Sequence, residues 1–483
     1  MSTAPAPRTT QLLTASTLRG AATLAAALDT GCFGPADRRV LVVCDNAAVP
    51  EAGPDLDALP GFERLRGRFD DVVSWNGTIA PLHPSGWSPR PDDVPLWERH
   101  LRLAWGLGDD EVELAVESIE VGPAPAIAEI FAGTPVDVYA DGLTGYGPTR
   151  DKLDPLIGTR VRRLLHLDLV PGLKPLLLTE FGVGPLVVGT GGFLKVLGEL
   201  ADAAPAELPS VESPALLLGE HLSVPGLISA AEEEELYLRM VRGTVALGHT
   251  RLVFAPHPAA PARWSRPMEA EAERLGAELT VLDTGTPPAP VLAEVLYERM
   301  RPALVVGCFS TALLTASAFY GLPVARIGTE LLLDRLSPYE NGERMPVTLV
   351  DALLPELGDR AAVTERRPAD GAGREVAEGA GREELAEGAG REVAEGAGRE
   401  VAALVAAVGF AMRPRLHPGL RPAAERYLST RLTPVTWRYF KRRRLTSLGL
   451  PGGVPARFTF LSRSAAVRRA VRRARSLRRA VGR

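Results

Sequence analysis

A chain of 483 residues, 46% apolar and 24% charged, exceeds one ordinary domain and can bury two sizeable cores. Its three scattered cysteines (Cys32, Cys44, Cys308) include no CxxC pair, which argues against a disulfide framework or a structural zinc site and fits a reducing cytoplasm. The net charge of -4 conceals a split: residues 438–483 hold 15 Lys and Arg and no acid, leaving an acidic body with a basic tail.

The opening "MSTAPAPRTTQ" lacks the apolar h-region of a secretory signal, and no apolar run reaches about 18 residues, so no spanning helix is expected. From there the chain alternates as a parallel sheet requires. "TTQLLTAS" reads as a strand, "TLRGAATLAAALDTG" as a helix ending in glycine, and "RRVLVVCD" as the next strand. "DDVVSWN", "VELAVESI" and "VDVYADG" are further short apolar runs, and "VPLWERHLRLAWGL" has helical periodicity. Continuous Val/Leu/Ile runs between helices mark strands buried on both faces.

Residues 201–214, "ADAAPAELPSVESP", break the rhythm and read as a linker. The alternation then restarts: strands at "ALLLGEHL", "RLVFAPHP", "ELTVLDTG", "ALVVGCFS" and "PVARIG", with helices at "SAAEEEELYLRMVRGTVALG", "RWSRPMEAEAERLG", "PVLAEVLYERM" and "STALLTASAFYG". The fold class is therefore α/β, with two Rossmann-like domains facing a cleft, at 8–205 and 214–355. Residues 370–402 repeat "EGAGREVA" almost perfectly, and two helix-breaking glycines per unit predict a flexible insertion over 364–403. A C-terminal segment, 404–483, ends in an Arg-rich tail.

In doubly wound sheets ligands bind beyond the carboxyl ends of the strands, so polar residues at predicted strand exits are the candidates. Asp141, after "VDVYA", is placed to take a proton from an acceptor hydroxyl, with Asp137 inside the strand as fallback. Position alone favours an Asx-turn aspartate that starts a loop. His257 ends "RLVFAPHP", and Pro258 biases it toward an extended conformation, holding an imidazole suited to a phosphate leaving group. Two more His-Pro pairs differ in context: His83 lies in a proline-rich loop that lines the acceptor side, and His417 reads as structural. Ser310 and Thr311 open a helix after "ALVVGCF", where a cap and an anion site coincide. Gly219 allows close nucleotide approach, Glu330 is a candidate for ribose hydroxyls, and Arg150 falls on the acceptor side.

The ordered series Asp141-Gly142, His257-Pro258 and Ser310-Thr311, across two such domains, resembles the bacterial sialyltransferases, and most closely the bacterial polysialyltransferases. The likeness spans roughly residues 8–355. It implies a GT-B architecture, a CMP-sialic acid or related CMP-sugar donor, a glycan acceptor, and no metal or other cofactor. It further implies inverting transfer with Asp141 as base, His257 and the Ser310-Thr311 helix start serving the departing phosphate. The family's acidic-acidic-glycine triplet reads Ala140-Asp141-Gly142 here, so one acidic position is unfilled.

Rival signals are weaker. Asp55-Leu56-Asp57 reads as a turn and helix start rather than a metal motif, and "VVGTGGFLKVLG" departs from GxGxxG. "GCFST" lacks the second glycine of a nucleophile elbow. The tail "SAAVRRAVRRARSLRRAVGR" suits an anionic membrane surface, which would make the protein peripheral, a track for a polyanionic acceptor, or a solvated segment with no partner. No groove-reading motif points to specific nucleic acid binding. The alternative reading is a non-catalytic GT-B-like protein that binds an anionic polymer or membrane.

Overall fold

The structure, a computed structural model, describes residues 8–204, 208–209, 211–257, 264–282, 291–365 and 389–454, with the backbone alone for 389–397. Seven strands form the first sheet: β1 (Thr9–Ala15), β2 (Arg38–Val43), β3 (Asp71–Ser74), β4 (Glu111–Glu117), β5 (Val136–Ala140), β6 (Val161–Leu167) and β7 (Gly184–Val188). Their order is β3-β2-β1-β4-β5-β6-β7, and every pair is parallel. Five strands form the second: β8 (Ala215–Leu218), β9 (Arg251–Ala255), β10 (Glu278–Val281), β11 (Leu304–Gly307) and β12 (Val324–Arg326), in the order β10-β9-β8-β11-β12. Both orders reverse once, between β1 and β4 and between β8 and β11, and each reversal opens a crevice at the strand exits.

The sequence pattern locates the strands β1 to β5 and β8 to β12 and misses two. β6 opens with Arg162 and Arg163, which hide its apolar run; both pair with buried Asp137, at 2.9 and 2.5 Å. β7 is an edge strand with an exposed Gly-Pro start, so it lacks the continuous burial of its neighbours.

The helix Leu18–Asp29 is capped by Thr17, whose hydroxyl accepts the Gly20 N–H at 2.9 Å. Its alanine-rich surface is buried between the sheet and the helix Thr190–Asp202. A Cβ on Gly192 would stand 2.4 Å from Thr30 Cγ2, so the "GTGG" glycines serve helix packing. The same helix packs against Ala293–Met300 of the second domain, and Phe193 meets Phe319 edge-on at 6.2 Å. Helix Thr190–Asp202 shortens the linker expected at 201–214 from its N-terminal side.

The C-terminal boundaries need correction. A helix spans Ala389–Met412, so the last part of the glycine-containing repeat is helical rather than a loose insertion; residues 366–388 lie outside the described residues. Val401, Leu404, Val405, Val408 and Met412 recur at helical spacing and are buried, which supplies the tertiary packing that overrides glycine propensity. The second domain also does not close at 355. Tyr439, Phe440 and Leu445 are buried with it, and Tyr339 donates to the Tyr439 carbonyl at 2.9 Å. His417 contacts Thr179 of the first domain at 3.4 Å, so the C-terminal helices touch both domains. The Arg-rich tail lies outside the described residues. Among the described residues no helix is long and apolar enough to cross a membrane.

Candidate active site

The first crevice opens where β1, β4 and β5 end. Asp141 follows β5 directly, with 23% of its side chain exposed. Arg19, at the start of the helix Leu18–Asp29, donates Nε to the Asp141 carbonyl at 3.1 Å and lies 4.0 Å from its carboxylate. Burial pushes the Asp141 carboxyl above its ordinary value, against the pull of Arg19. Asp137, the fallback base, sits toward the far end of the same strand, where Arg162 and Arg163 hold it away from this crevice.

A second carboxylate belongs to this crevice. Glu117 closes β4, and its register partner on β5 is Tyr139, so Glu117 and Asp141 project from the same face of adjacent strands. Glu117 Oε2 accepts the Ser16 backbone N–H at 2.8 Å and its hydroxyl at 2.7 Å. Burial, then the neighbouring Asp141 charge, pushes Glu117 up to about 7. Glu117, Ser16 and Ser118 line a pocket of about 120 Å³ at the β1/β4 reversal. Ser118 holds φ at +41°, a left-handed conformation that costs energy in a non-glycine residue. A strand-exit reading applied to every strand would have reached Glu117, the last residue of "VELAVE".

The second crevice faces it from β8 and β11. Ser310 caps the helix Thr311–Ala318, its hydroxyl accepting the Ala312 N–H at 3.2 Å. The backbone N–H groups of Phe309 and Ser310 converge on Glu220 Oε1 at 3.2 and 3.1 Å. Burial pushes Glu220 up to about 7. This carboxylate thus occupies the anion position that Ser310 and Thr311 predict, and it was legible as the residue after "LLLG". His257 stacks on His221 with ring centroids 5.3 Å apart, and burial, then His221, holds its pKa below the usual value. His221 Nε2 is buried with no hydrogen-bond partner among the described residues. Pro258 lies outside the described residues.

The two crevices meet. Thr311 Oγ1 accepts the Leu143 N–H at 3.3 Å, joining the helix start of the second domain to the Asp141-Gly142 loop. Arg19 bridges the same junction, bonding Glu294 and, at 3.3 Å, Thr315. The remaining candidates are tied elsewhere. A Cβ on Gly219 would lie 2.9 Å from Pro256 Cα and 3.0 Å from the His257 nitrogen, so this glycine serves the packing of two strand exits. Glu330 is exposed and pairs with Arg438 at 2.5 Å. His83 bonds the Ala47 carbonyl at 2.9 Å and Ser85 at 2.8 Å, which leaves its ring as a brace for the crevice rim. Arg150 pairs with buried Glu120 at 3.3 Å and lies against Gly342 across the domain junction. His417 is buried, as a structural residue would be. Asp55 precedes a short 3-10 turn, Leu56–Ala58, in keeping with a turn.

Two doubly wound parallel sheets thus meet, with carboxylates at the strand exits of one and a capped helix start at those of the other, and the family to which the chain belongs makes it a glycosyltransferase. The chain belongs to the alpha-2,8-polysialyltransferase family, whose model matches residues 11–329. Comparison with curated sequences returns no match. Among solved structures it is similar to the GT-B domain of a sialyltransferase from Photobacterium damselae, with 12% identity over 73% of this chain and 98% of that one, at a TM-score of 0.40. S. aureus MnaA with UDP is similar at 12% identity, covering 74% of this chain and 91% of that one, with a TM-score of 0.40.

Proposed function

We propose that this enzyme transfers sialic acid, or a related acidic sugar, from a CMP-activated donor to a glycan acceptor in cell-surface polysaccharide synthesis, with inversion at the anomeric carbon. The observation that carries the reading is the contact between the Thr311 helix start and the loop after Asp141, which sets an anion site against a carboxylate. The acceptor O–H gives its proton to the carboxylate as its oxygen bonds the anomeric carbon. The bond from that carbon to the phosphate oxygen breaks, and its electron pair leaves with CMP. The N–H groups of Phe309 and Ser310 and the helix dipole receive the phosphate once Glu220 yields. The His257–His221 pair supplies the imidazole donor, and the His221 nitrogen, unpartnered among the described residues, favours a polar ligand there. CMP has a single phosphate, so in this reading no metal is needed.

The test is CMP release from CMP-sialic acid and from a panel of CMP-sugars, with and without glycan acceptor and in the presence of chelator. Binding of CMP measured by calorimetry is the companion experiment. A folded protein that binds neither CMP nor any CMP-sugar removes the donor assignment.

A further inference from the structure

We infer that the base is a carboxylate pair, Glu117 beside Asp141 on one face of the sheet, and that Glu117 is the member that touches the acceptor. The inference rests on the proposed transfer reaction and deepens it by naming a second catalytic residue.

Four observations converge. Glu117 and Asp141 leave adjacent parallel strands on one face, in the register Glu117–Tyr139. Glu117 lines the pocket at the β1/β4 reversal, the place where a doubly wound sheet binds its ligand. Its orientation is fixed by both donors of Ser16, which bond Oε2. The next residue, Ser118, is held in a left-handed conformation, and strain of this kind collects at functional sites. Asp141, by contrast, is bound from behind by Arg19 and the domain junction.

The charged and titratable groups around the pair define its behaviour. Tyr139, the register partner of Glu117 on β5, donates its hydroxyl to the Thr14 carbonyl at 2.9 Å and feels both carboxylates. Cys44 faces Glu117 from the exit of β2. Arg19 faces Asp141 from the helix Leu18–Asp29, and Glu294 sits behind Arg19 from the second domain. Two carboxylates with a single arginine for compensation, itself divided with Glu294, do not both ionise easily. Glu117 then accepts the proton of the acceptor hydroxyl, the oxygen bonds to the anomeric carbon, and the proton remains within the pair until it passes to solvent after CMP leaves.

The test follows both carboxyls by carbon NMR across pH in the full chain, in E117Q and in D141N. In E117Q, Asp141 titrates lower than in the wild type by about 1 pH unit, and in D141N Glu117 moves down by the same amount, as coupling requires. The acid limb of kcat/KM shifts with it in E117Q, and kcat falls about 100-fold. An unmoved Asp141 titration in E117Q, or an unmoved Glu117 in D141N if the first variant does not fold, overturns the pair. A rate loss with an unshifted limb also overturns it and leaves Glu117 a structural role. Coupled titration without turnover of any CMP-sugar supports the pair and overturns the donor reading instead.

Discussion

Thr311 and Leu143 belong to different domains, yet the threonine hydroxyl accepts the leucine N–H at 3.3 Å. That single bond links the helix start of the second domain to the loop that follows Asp141 in the first, the proposed donor and acceptor sides. Thr311→Val leaves the Leu143 N–H without this partner at a cost of about 1 kcal/mol, and donor KM is expected to rise about fivefold. Steady-state kinetics check this, with a thermal melt to show that the fold is intact.

Asp141→Asn retains shape and removes one of the two carboxylates of the proposed base. Transfer is expected to drop at least about 100-fold while CMP binding, made by the other domain, stays within twofold. Calorimetry beside a transfer assay separates the two; an active Asn variant would end the role of Asp141 as base.

Glu220 accepts the N–H groups of Phe309 and Ser310, and in the proposed reaction the donor phosphate competes with it for them. Glu220→Ala empties that position and removes a negative charge, so the variant is expected to bind free CMP about tenfold more tightly. Weaker binding in Glu220→Ala would instead make the carboxylate a ligand for the nucleotide.

Stability should carry the mark of both raised glutamates. Glu117 and Glu220 stand near 7 against an ordinary 4.5. Between those values the native state holds more protons than the unfolded chain, so stability falls as pH rises through the window. The melting temperature is expected to decline between pH of about 5 and 7.5, and Glu220→Gln to flatten the slope. A wild-type melting temperature that rises through this range contradicts the assignment.

His257 begins below the usual histidine value because it is buried beside His221. A phosphate placed next to it raises that value, so CMP binding takes up a proton and tightens as pH falls. Calorimetry in buffers of different ionisation enthalpy measures the uptake, and His257→Gln is expected to reduce it. Proton release on binding to the wild type would rule out this placement of the phosphate.

Much of this arrangement was legible along the chain. The apolar runs marked ten strands, and the strand-exit rule led to Asp141, His257, Ser310 and Thr311, whose local positions the structure matches. β6 escaped because Arg162 and Arg163 break its pattern, and their reason for being there, Asp137, lies on a neighbouring strand. The C-terminal helix escaped because glycine content reports local propensity, whereas packing of Val401, Leu404 and Val408 supplies the missing stabilisation. Glu330, Gly219 and His83 show the converse: each has a plausible local signature, and each is committed to a nearby partner.

The sequence by itself determined two βα alternations, their division by a linker and the residues that terminate several strands. These follow from periodicity and from the rules for where a doubly wound sheet ends, both local properties of the chain. Only the tertiary structure decided that Glu117 stands beside Asp141, that Glu220 fills the amides before Thr311, and that Arg19 divides its charge between two domains. Those relationships connect residues from 24 to 275 positions apart, and burial and Coulomb interaction depend on distance in space rather than along the chain.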